Sequence, residues 1–316
     1  MNLAYIISGY KNFEQIHRLI DRLDDDRSRF VILIDGHSPT DQFQAFEQSL
    51  VDHPRVQIPP RKKMRWGDFS LTENCQSAVG QLLNSDFKFD YVFCVTGQDY
   101  PLKSPDEIRQ TLAAAHGKSF VLHEAFPVAR WEPSGMGRLY SYNFIYNRKA
   151  YEFPKWYKPQ RKWVRRAYAV INALVPKRGP FPFNMHPYGG SLHWTLSREA
   201  AEYLENFVRA NPAYDRRFRF TFASDEVYVQ TVLANSPLKE KLIDNDLRFL
   251  KWPTPGAASP RVLKQADLPE ILASDAVFAR KFDVTVDARV LDLIDQQVDA
   301  RQTRRRSGTD RNRAAA

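Results

Sequence analysis

Long apolar runs are missing from this chain. Nowhere do its 316 residues approach the ~20 consecutive apolar positions that a membrane-spanning helix requires. Cysteine is nearly missing too: only Cys75 and Cys94 occur, each in an apolar segment, which argues against a disulfide framework and fits a reducing compartment. The first residues, Met-Asn-Leu-Ala-Tyr-Ile-Ile, lack the charged n-region of a secretory signal and read as a strand, so the expected location is cytoplasmic, at most peripheral at an inner membrane. No internal repeat stands out, and none of the recognisable nucleic-acid motifs is present. The formal net charge of +9 therefore does not by itself point to a DNA or RNA partner.

What the chain has is aromatic rings and clustered cations. Six Trp, 14 Tyr and 21 Phe can serve either as an aromatic core or as stacking faces for sugars, and the count alone does not choose. Lys155, Lys158, Arg161, Lys162, Arg165 and Arg166 alternate with Trp156, Tyr157, Trp163 and Tyr168. Three readings stand for this patch, which extends over 155–178: a solvated helix face, a surface for anionic lipid head groups that makes a peripheral membrane contact, or a site for an acidic polymer. A second cluster, Arg301, Arg304, Arg305, Arg306, Arg311 and Arg313, has no apolar periodicity, and the basic tail 301–316 is expected to be disordered.

The order of patterns predicts an α/β fold with a Rossmann-type, mostly parallel sheet flanked by helices. Leu3–Ser8 is an apolar strand, Phe13, Ile16, Leu19, Ile20 and Leu23 have helical spacing, and Phe30–Ile34 is a second strand ending on Asp35-Gly36. A helix follows over Asp41–Val51, then a short strand over Arg55–Ile58, and a helix over Leu71–Asn84, for which Ser70 and Glu73 suggest a capping box. The stretch from Asp90 to Leu102 carries the most information. Tyr91–Val95 fits a strand buried on both faces, and Gly97 and Pro101 end it, which sets Gln98 and Asp99 at the carboxyl edge where open α/β sheets bind ligands. Residues 125–188 are irregular, aromatic and basic, and read as an insertion over that edge within a single domain of residues 1–300. Ser197 is placed to cap a helix from Arg198, and Phe222–Glu226 leads into another with Ser224 as the N-cap.

Two kinds of chemistry are available. Glu226, in the first turn of a helix, is a carboxylate able to take a proton from a hydroxyl; equally, Asp225 and Glu226 can simply stabilise their own helix. Arg261 and Arg280-Lys281 are cations set among apolar residues, and such groups can hold phosphate oxygens. A metal would ask for an Asp-x-Asp at a strand's end, but Asp24-Asp25-Asp26 and Asp244-Asn245-Asp246 both precede strands.

These pieces resemble, in order, the motifs of the core-2/I-branching enzyme family, glycosyltransferase family 14. They are Trp66-Gly-Asp-Phe-Ser-Leu-Thr-Glu73, Thr96-Gly-Gln-Asp-Tyr-Pro-Leu-Lys103, Gly190-Ser-Leu-His-Trp-Thr-Leu-Ser-Arg198, Ser224-Asp-Glu226, Phe249-Leu-Lys-Trp252 and Phe278-Ala-Arg-Lys-Phe-Asp283. The family includes β-1,6-N-acetylglucosaminyltransferases and peptide O-xylosyltransferases. The resemblance implies a GT-A-like fold and inverting transfer of GlcNAc, xylose or glucose from a UDP-sugar to a glycan or glycoconjugate hydroxyl, with no metal and no cofactor. It implies Glu226 as the base, and Ser8, Asp35, Trp66, Asp99, Arg261 and Lys281 on the donor side. On the acceptor side it implies Trp252 and Glu124. The paucity of cysteine, and the absence of the membrane anchor and stem of the animal enzymes, suggest a bacterial member acting in surface polysaccharide synthesis. Two alternatives stand beside it: a non-catalytic module that binds an acidic glycan or a membrane surface, and a metal-dependent transferase built on Asp99 and Asp35.

Overall fold

The structure, a computed structural model, describes residues 1–131, 135–146, 149–154, 162–176, 178–254, 257 and 259–314, without the side chains of 168, 171 and 305–314. Lys155, Trp156, Tyr157, Lys158, Arg161 and the Tyr168 side chain, all part of the basic patch, lie outside the described residues, as do the side chains of Arg305, Arg306, Arg311 and Arg313.

The first half runs as expected: β1 (Leu3–Gly9), α1 (Phe13–Leu23), β2 (Ser28–Ile34), α2 (Thr40–Ser49), β3 (Val56–Gln57), α3 (Phe69–Asn84) and β4 (Tyr91–Thr96). Side-chain alternation explains why these strands sit in the middle. Ala4 and Ile6 of β1 pack into one buried cluster, while Leu3, Tyr5 and Ile7 pack into another on the opposite face of the sheet. A strand apolar on both sides must be covered on both sides, and α1 and α3 do so. All five apolar residues of the α1 pattern are buried.

Then come β5 (Asp99–Pro101), α4 (Pro105–Ala113), β6 (Ser119–Phe120), β7 (Glu124–Ala125), α5 (Met136–Tyr140), β8 (Tyr142–Tyr146), β9 (Lys149–Phe153) and α6 (Lys162–Leu174). The last third contains β10 (Tyr188–Gly189), β11 (Thr195–Ser197), α7 (Arg198–Ala210), α8 (Pro212–Phe218), α9 (Tyr228–Ala234), β12 (Leu242–Ile243) and β13 (Arg248–Leu250). It closes with α10 (Leu268–Ala273), β14 (Phe278–Arg280), α11 (Val284–Asp287) and α12 (Arg289–Ala314).

Seven strands form the main sheet in the order β12-β6-β11-β4-β1-β2-β3. The sheet is mostly parallel; β11 alone among them runs antiparallel, to both β4 and β6. Chain order reverses direction across β1, which has β2 on one side and β4 on the other. A crevice therefore opens between the carboxyl ends of β1 and β4. There Gly97 N donates to Ser8 O at 2.8 Å, and a Cβ on Gly9 or Gly97 would run into the Ile16 side chain of α1.

A second, three-stranded sheet, β13-β14-β5, decides what enters that crevice. β14 pairs antiparallel with β5, placing Arg280 opposite Asp99, and parallel with β13, placing Leu250 beside Arg280. The C-terminal quarter is thereby hydrogen-bonded to the segment that follows β4.

Three local expectations are corrected. The N-cap of α3 is Asp68, whose side chain accepts from Ser70 N at 2.8 Å, because the helix begins two residues earlier than the apolar spacing suggests. Ser224 caps nothing: Ser224–Glu226 is a 3₁₀ turn ahead of α9, and the Ser224 hydroxyl instead meets Thr72 Oγ1 at 2.7 Å. The tail, expected to be disordered, continues α12 through Ala314. Val290, Leu291, Ile294 and Val298 anchor that helix in a third buried cluster, and Asp295 pairs with Arg18 and Arg22 of α1. Once a helix is nucleated by packing, Arg, Gln and Ala extend it at little cost.

Candidate functional site

Ser8 lies near the end of β1 and Asp35 just past β2, both at the carboxyl edge of the sheet. Asp35 Oδ1 is engaged by His37 N and Met64 N, both at 3.0 Å, while Oδ2 has no hydrogen bond among the described residues. Lys281 follows β14 directly; its ammonium donates to Ser259 Oγ at 2.8 Å. Partial burial, with Arg280 and Lys11 close by, lowers the Lys281 pKa from the ordinary lysine range. Lys11 itself pairs with Asp283 at 2.5 Å. Three cations, Lys11, Arg280 and Lys281, therefore share one small region at the switch point, where the like charges of the other two help to lower Lys281.

Arg261 is nearby but occupied. Its backbone N donates to Lys251 O at 2.8 Å, and two residues on Leu263 N reaches Lys281 O at 2.9 Å, so its strand lies beside that of Lys281. Both guanidinium nitrogens, however, hold Asp267, whose carboxyl sits at about 2 against the raising effect of burial because Arg261 and Lys251 bond to it. A fork already filled by a carboxylate is not open to a phosphate without releasing it.

Asp99 departs from expectation. Its side chain is 0% exposed and accepts from Thr96 N at 2.5 Å and Thr96 Oγ1 at 2.7 Å, so its oxygens are sealed from any ligand. Burial works to raise its pKa, but the charges of Arg280 and Arg248 and the hydrogen bonds from Thr96 outweigh that and hold it down at about 2. Arg248 Nε lies 3.4 Å from Asp99 Oδ1, and Arg280 Nη1 contacts His193 Nε2. Burial keeps His193 neutral, well below the usual histidine range, despite the pull of Asp99. Asp99 is thus the buried counter-charge that gathers cations beneath the crevice rather than a donor contact.

On the other wall, Glu226 is 34% exposed, and its Oε2 accepts from Arg138 Nη1 of α5 at 2.5 Å. Arg138 in turn lies flat on Trp131, 3.8 Å from the ring centre, and 5.3 Å from that of Phe222. No hydrogen bond to Oε1 is made by the described residues. Trp66, expected on the donor side, sits instead with this group: its ring meets Phe222 edge-on at 5.3 Å, and Gly67 O accepts from Ala223 N at 2.7 Å. Glu124 joins the same wall. Its Oε1 accepts from Ala129 N at 3.1 Å, Arg130 lies 3.8 Å from it and also donates to Gly190 O, and Gly190 N donates to Glu226 O at 2.7 Å. Trp252 stands exposed two residues beyond β13, on the same edge as Arg280 and Lys281.

The two walls communicate through Asp225. Burial, then the charge of Glu226 beside it, push its carboxyl up to about 7, while Arg138 and Arg280 pull the other way. Arg280 from the far wall is close enough to act on the residue next to Glu226. Among the described residues, no three His, Cys, Asp or Glu side chains group as metal ligands would. A cavity of about 550 Å³ opens around Asp90, Tyr91, Ser197 and Arg198, at the amino ends of the strands, away from all of these groups.

Arg138, Trp131, Arg130, Lys11, His193 and Arg248 were not singled out from sequence. Those of the insertion lie where no periodicity marks them, and His193 and Arg248 gain meaning only when β14 pairs with β5. One signal was readable: a histidine in the otherwise apolar Leu192-His-Trp-Thr-Leu196.

A family model described as Branch: Core-2/I-Branching enzyme matches residues 3–272, and the chain belongs to that family. Xylosyltransferase 2 of Rattus norvegicus is 24% identical over 93% of this chain and 33% of its own length. The beta-1,3-galactosyl-O-glycosyl-glycoprotein beta-1,6-N-acetylglucosaminyltransferase 4 of Mus musculus is 22% identical over 95% of this chain and 66% of its own. Beta-glucuronosyltransferase GlcAT14B of Arabidopsis thaliana is 24% identical, with 94% and 66% covered. The chain thus spans about a third of the length of the rat xylosyltransferase. No helix among the described residues is long and apolar enough to cross a membrane.

Proposed function

We propose that this chain is an inverting glycosyltransferase that moves a sugar from a UDP-sugar to a hydroxyl of a glycan or glycoconjugate, in a surface polysaccharide of the cell. The observation that carries the reading is the meeting of two unlike groups at one crevice: a part-exposed Glu226 on one wall, and the cations Lys11, Arg280 and Lys281 on the other, with Arg280 acting on Asp225. Family membership supports it, since relatives are named for transferring xylose, N-acetylglucosamine and glucuronic acid.

In this reading Glu226 takes the proton of the acceptor hydroxyl as that oxygen attacks the anomeric carbon from the face opposite the departing UDP. The bond from that carbon to the diphosphate breaks as the new glycosidic bond forms, through a transition state with oxocarbenium character. Negative charge gathering on the leaving diphosphate is met by Lys281 and Arg280, held in place by β14, with Arg261 joining if it exchanges Asp267 for phosphate. Fixed cations do the work that a divalent ion does elsewhere, so activity survives EDTA. Asp35 and Ser8 face the nucleotide from the ends of β2 and β1. Trp252, Trp66 and Glu124 offer two stacking rings and a hydrogen-bond acceptor to the acceptor sugar.

A panel of UDP-sugars assayed for slow hydrolysis tests this without knowledge of the acceptor. Hydrolysis of one UDP-sugar in EDTA is the expected result; strict dependence on Mn²⁺ would move the chemistry to a metal-dependent route. A non-catalytic glycan-binding module is favoured by one observation, the Arg138 guanidinium covering one oxygen of Glu226. Calorimetry with UDP separates the two, because a module of that kind shows no heat of UDP binding.

A further inference from the structure

Helix α6 is exposed on almost every side. None of its described side chains is buried, and Trp163 is 69% exposed, Val170 63% and Leu174 79%. Trp163, Ala167, Val170 and Leu174 recur at i, i+4, i+7 and i+11, so they form one apolar face of the helix. Lys162 and Arg166 flank that face, Arg165 stands on the opposite side of the helix, and among the described residues none of the three pairs with a carboxylate. No Asp or Glu occurs anywhere between Glu152 and Glu199. The helix is nevertheless held to the body of the protein. Arg178, four residues past its end and buried, donates to Ser141 O at 2.8 Å and also to Arg217 O. Ser141 Oγ donates to Pro154 O at 2.6 Å, which ties the base of the β8–β9 hairpin to the same point.

We infer that α6 docks this protein onto an anionic lipid bilayer, lying in the plane of the surface with Trp163, Val170 and Leu174 among the acyl chains and Lys162 and Arg166 among the head groups. Among the described residues this stripe of large apolar side chains belongs to none of the buried clusters and is left in water. Its flanking cations choose the cover. A second copy of the same face would set Lys162 and Arg166 against their own kind across a two-fold axis. A soluble polyanion would satisfy the cations and leave Trp163 and Leu174 in water. Anionic lipid satisfies both, as an interfacial amphipathic helix requires.

The test uses the full chain, sedimented with phosphatidylcholine vesicles with and without phosphatidylglycerol. The protein is expected to pellet with the anionic vesicles, to stay in solution with the neutral ones, and to detach as salt is raised. Lys162→Glu with Arg166→Glu should weaken vesicle binding at least ~tenfold. Trp163→Ser with Leu174→Ser should do the same at least ~tenfold while leaving UDP binding unchanged, which shows the fold intact. Equal binding to both vesicle types, or to neither, overturns the inference. So does a dimer, seen by light scattering, that the Trp163→Ser/Leu174→Ser pair dissolves, or retention by a soluble polyanion without binding to vesicles. Vesicle binding requires no UDP, so its outcome is independent of the reaction proposed above.

Discussion

The wall of the crevice made by β1, β4 and β14 and the wall made by residues 124–190 hold their charged groups in place in different ways. On the first, backbone does the positioning: Gly97 N bonds Ser8 O, β14 is laddered onto β5, and the buried Asp99 holds Arg248, His193 and Arg280 from below. On the second, side chains do it: Arg138 lies between Glu226 and the Trp131 ring, and Arg130 bridges Glu124 to Gly190 O. A wall laddered into a sheet costs much to deform, so it suits a ligand part that never changes, such as a diphosphate. One assembled from long side chains on short elements can be rebuilt by a few substitutions, which suits an acceptor that differs among relatives.

The strongest way to break this contrast is at a backbone contact inside the second wall. Gly190 gives its N–H to Glu226 O, and a Cβ there would lie 1.9 Å from Leu122 O, a backbone atom that cannot move aside. Gly190→Ala is expected to destabilise the protein by about 3 kcal/mol or more. A urea melt that superimposes on the parent's would show that the contact yields easily. Next in size is Glu226→Gln, which removes the base and keeps the shape: turnover should fall at least ~10²-fold with UDP affinity intact. Unchanged turnover would take Glu226 out of its role.

The cations sharpen the first wall. Lys281→Ala should weaken UDP binding by roughly tenfold in calorimetry, the size expected for losing one charge-assisted contact. Arg261→Ala should change it by no more than about threefold if Asp267 keeps that guanidinium. The reverse ranking would show that Arg261 releases Asp267 when the nucleotide arrives.

Smallest is the effect at Asp225, where the walls meet electrostatically. Burial and Glu226 raise this acid from 3.8 to about 7 in the folded protein. A folded pKa above the unfolded one gives stability that is complete below 3.8 and is lost as pH rises through about 7. Asp225→Asn should therefore be the more stable protein at pH 8, by about 1 kcal/mol once its partial exposure is discounted, with no difference at pH 4. Parallel stability curves from pH 4 to 8 would remove the coupling.

Much of the first wall was legible in the sequence. β1, β2, β4 and α1 carry periods of 2 and 3.6 strong enough to place themselves, and their order implies a switch point with Asp35 and Ser8 at its rim. The motif order also pointed to Glu226 and Lys281. Asp99 was misread for a physical reason: position along the chain puts a carboxylate at the strand's end, but whether it faces solvent depends on β14 arriving over it. Trp66 was placed on the donor side for want of knowing that Phe222 would lie against it. The insertion was hardly legible, since 125–188 has no period to read and its meaning rests on pairs far apart in sequence, such as Arg138 with Glu226 and Arg178 with Arg217 O.

Local pattern alone determined the elements and the parallel sheet, because each depends on side chains spaced a few residues apart. Tertiary structure decided which charges are sealed and which are free. Burial and the company of other charges set the state of Asp99, Arg261, Asp225 and Lys281, and both arise only when segments distant in sequence close over one another.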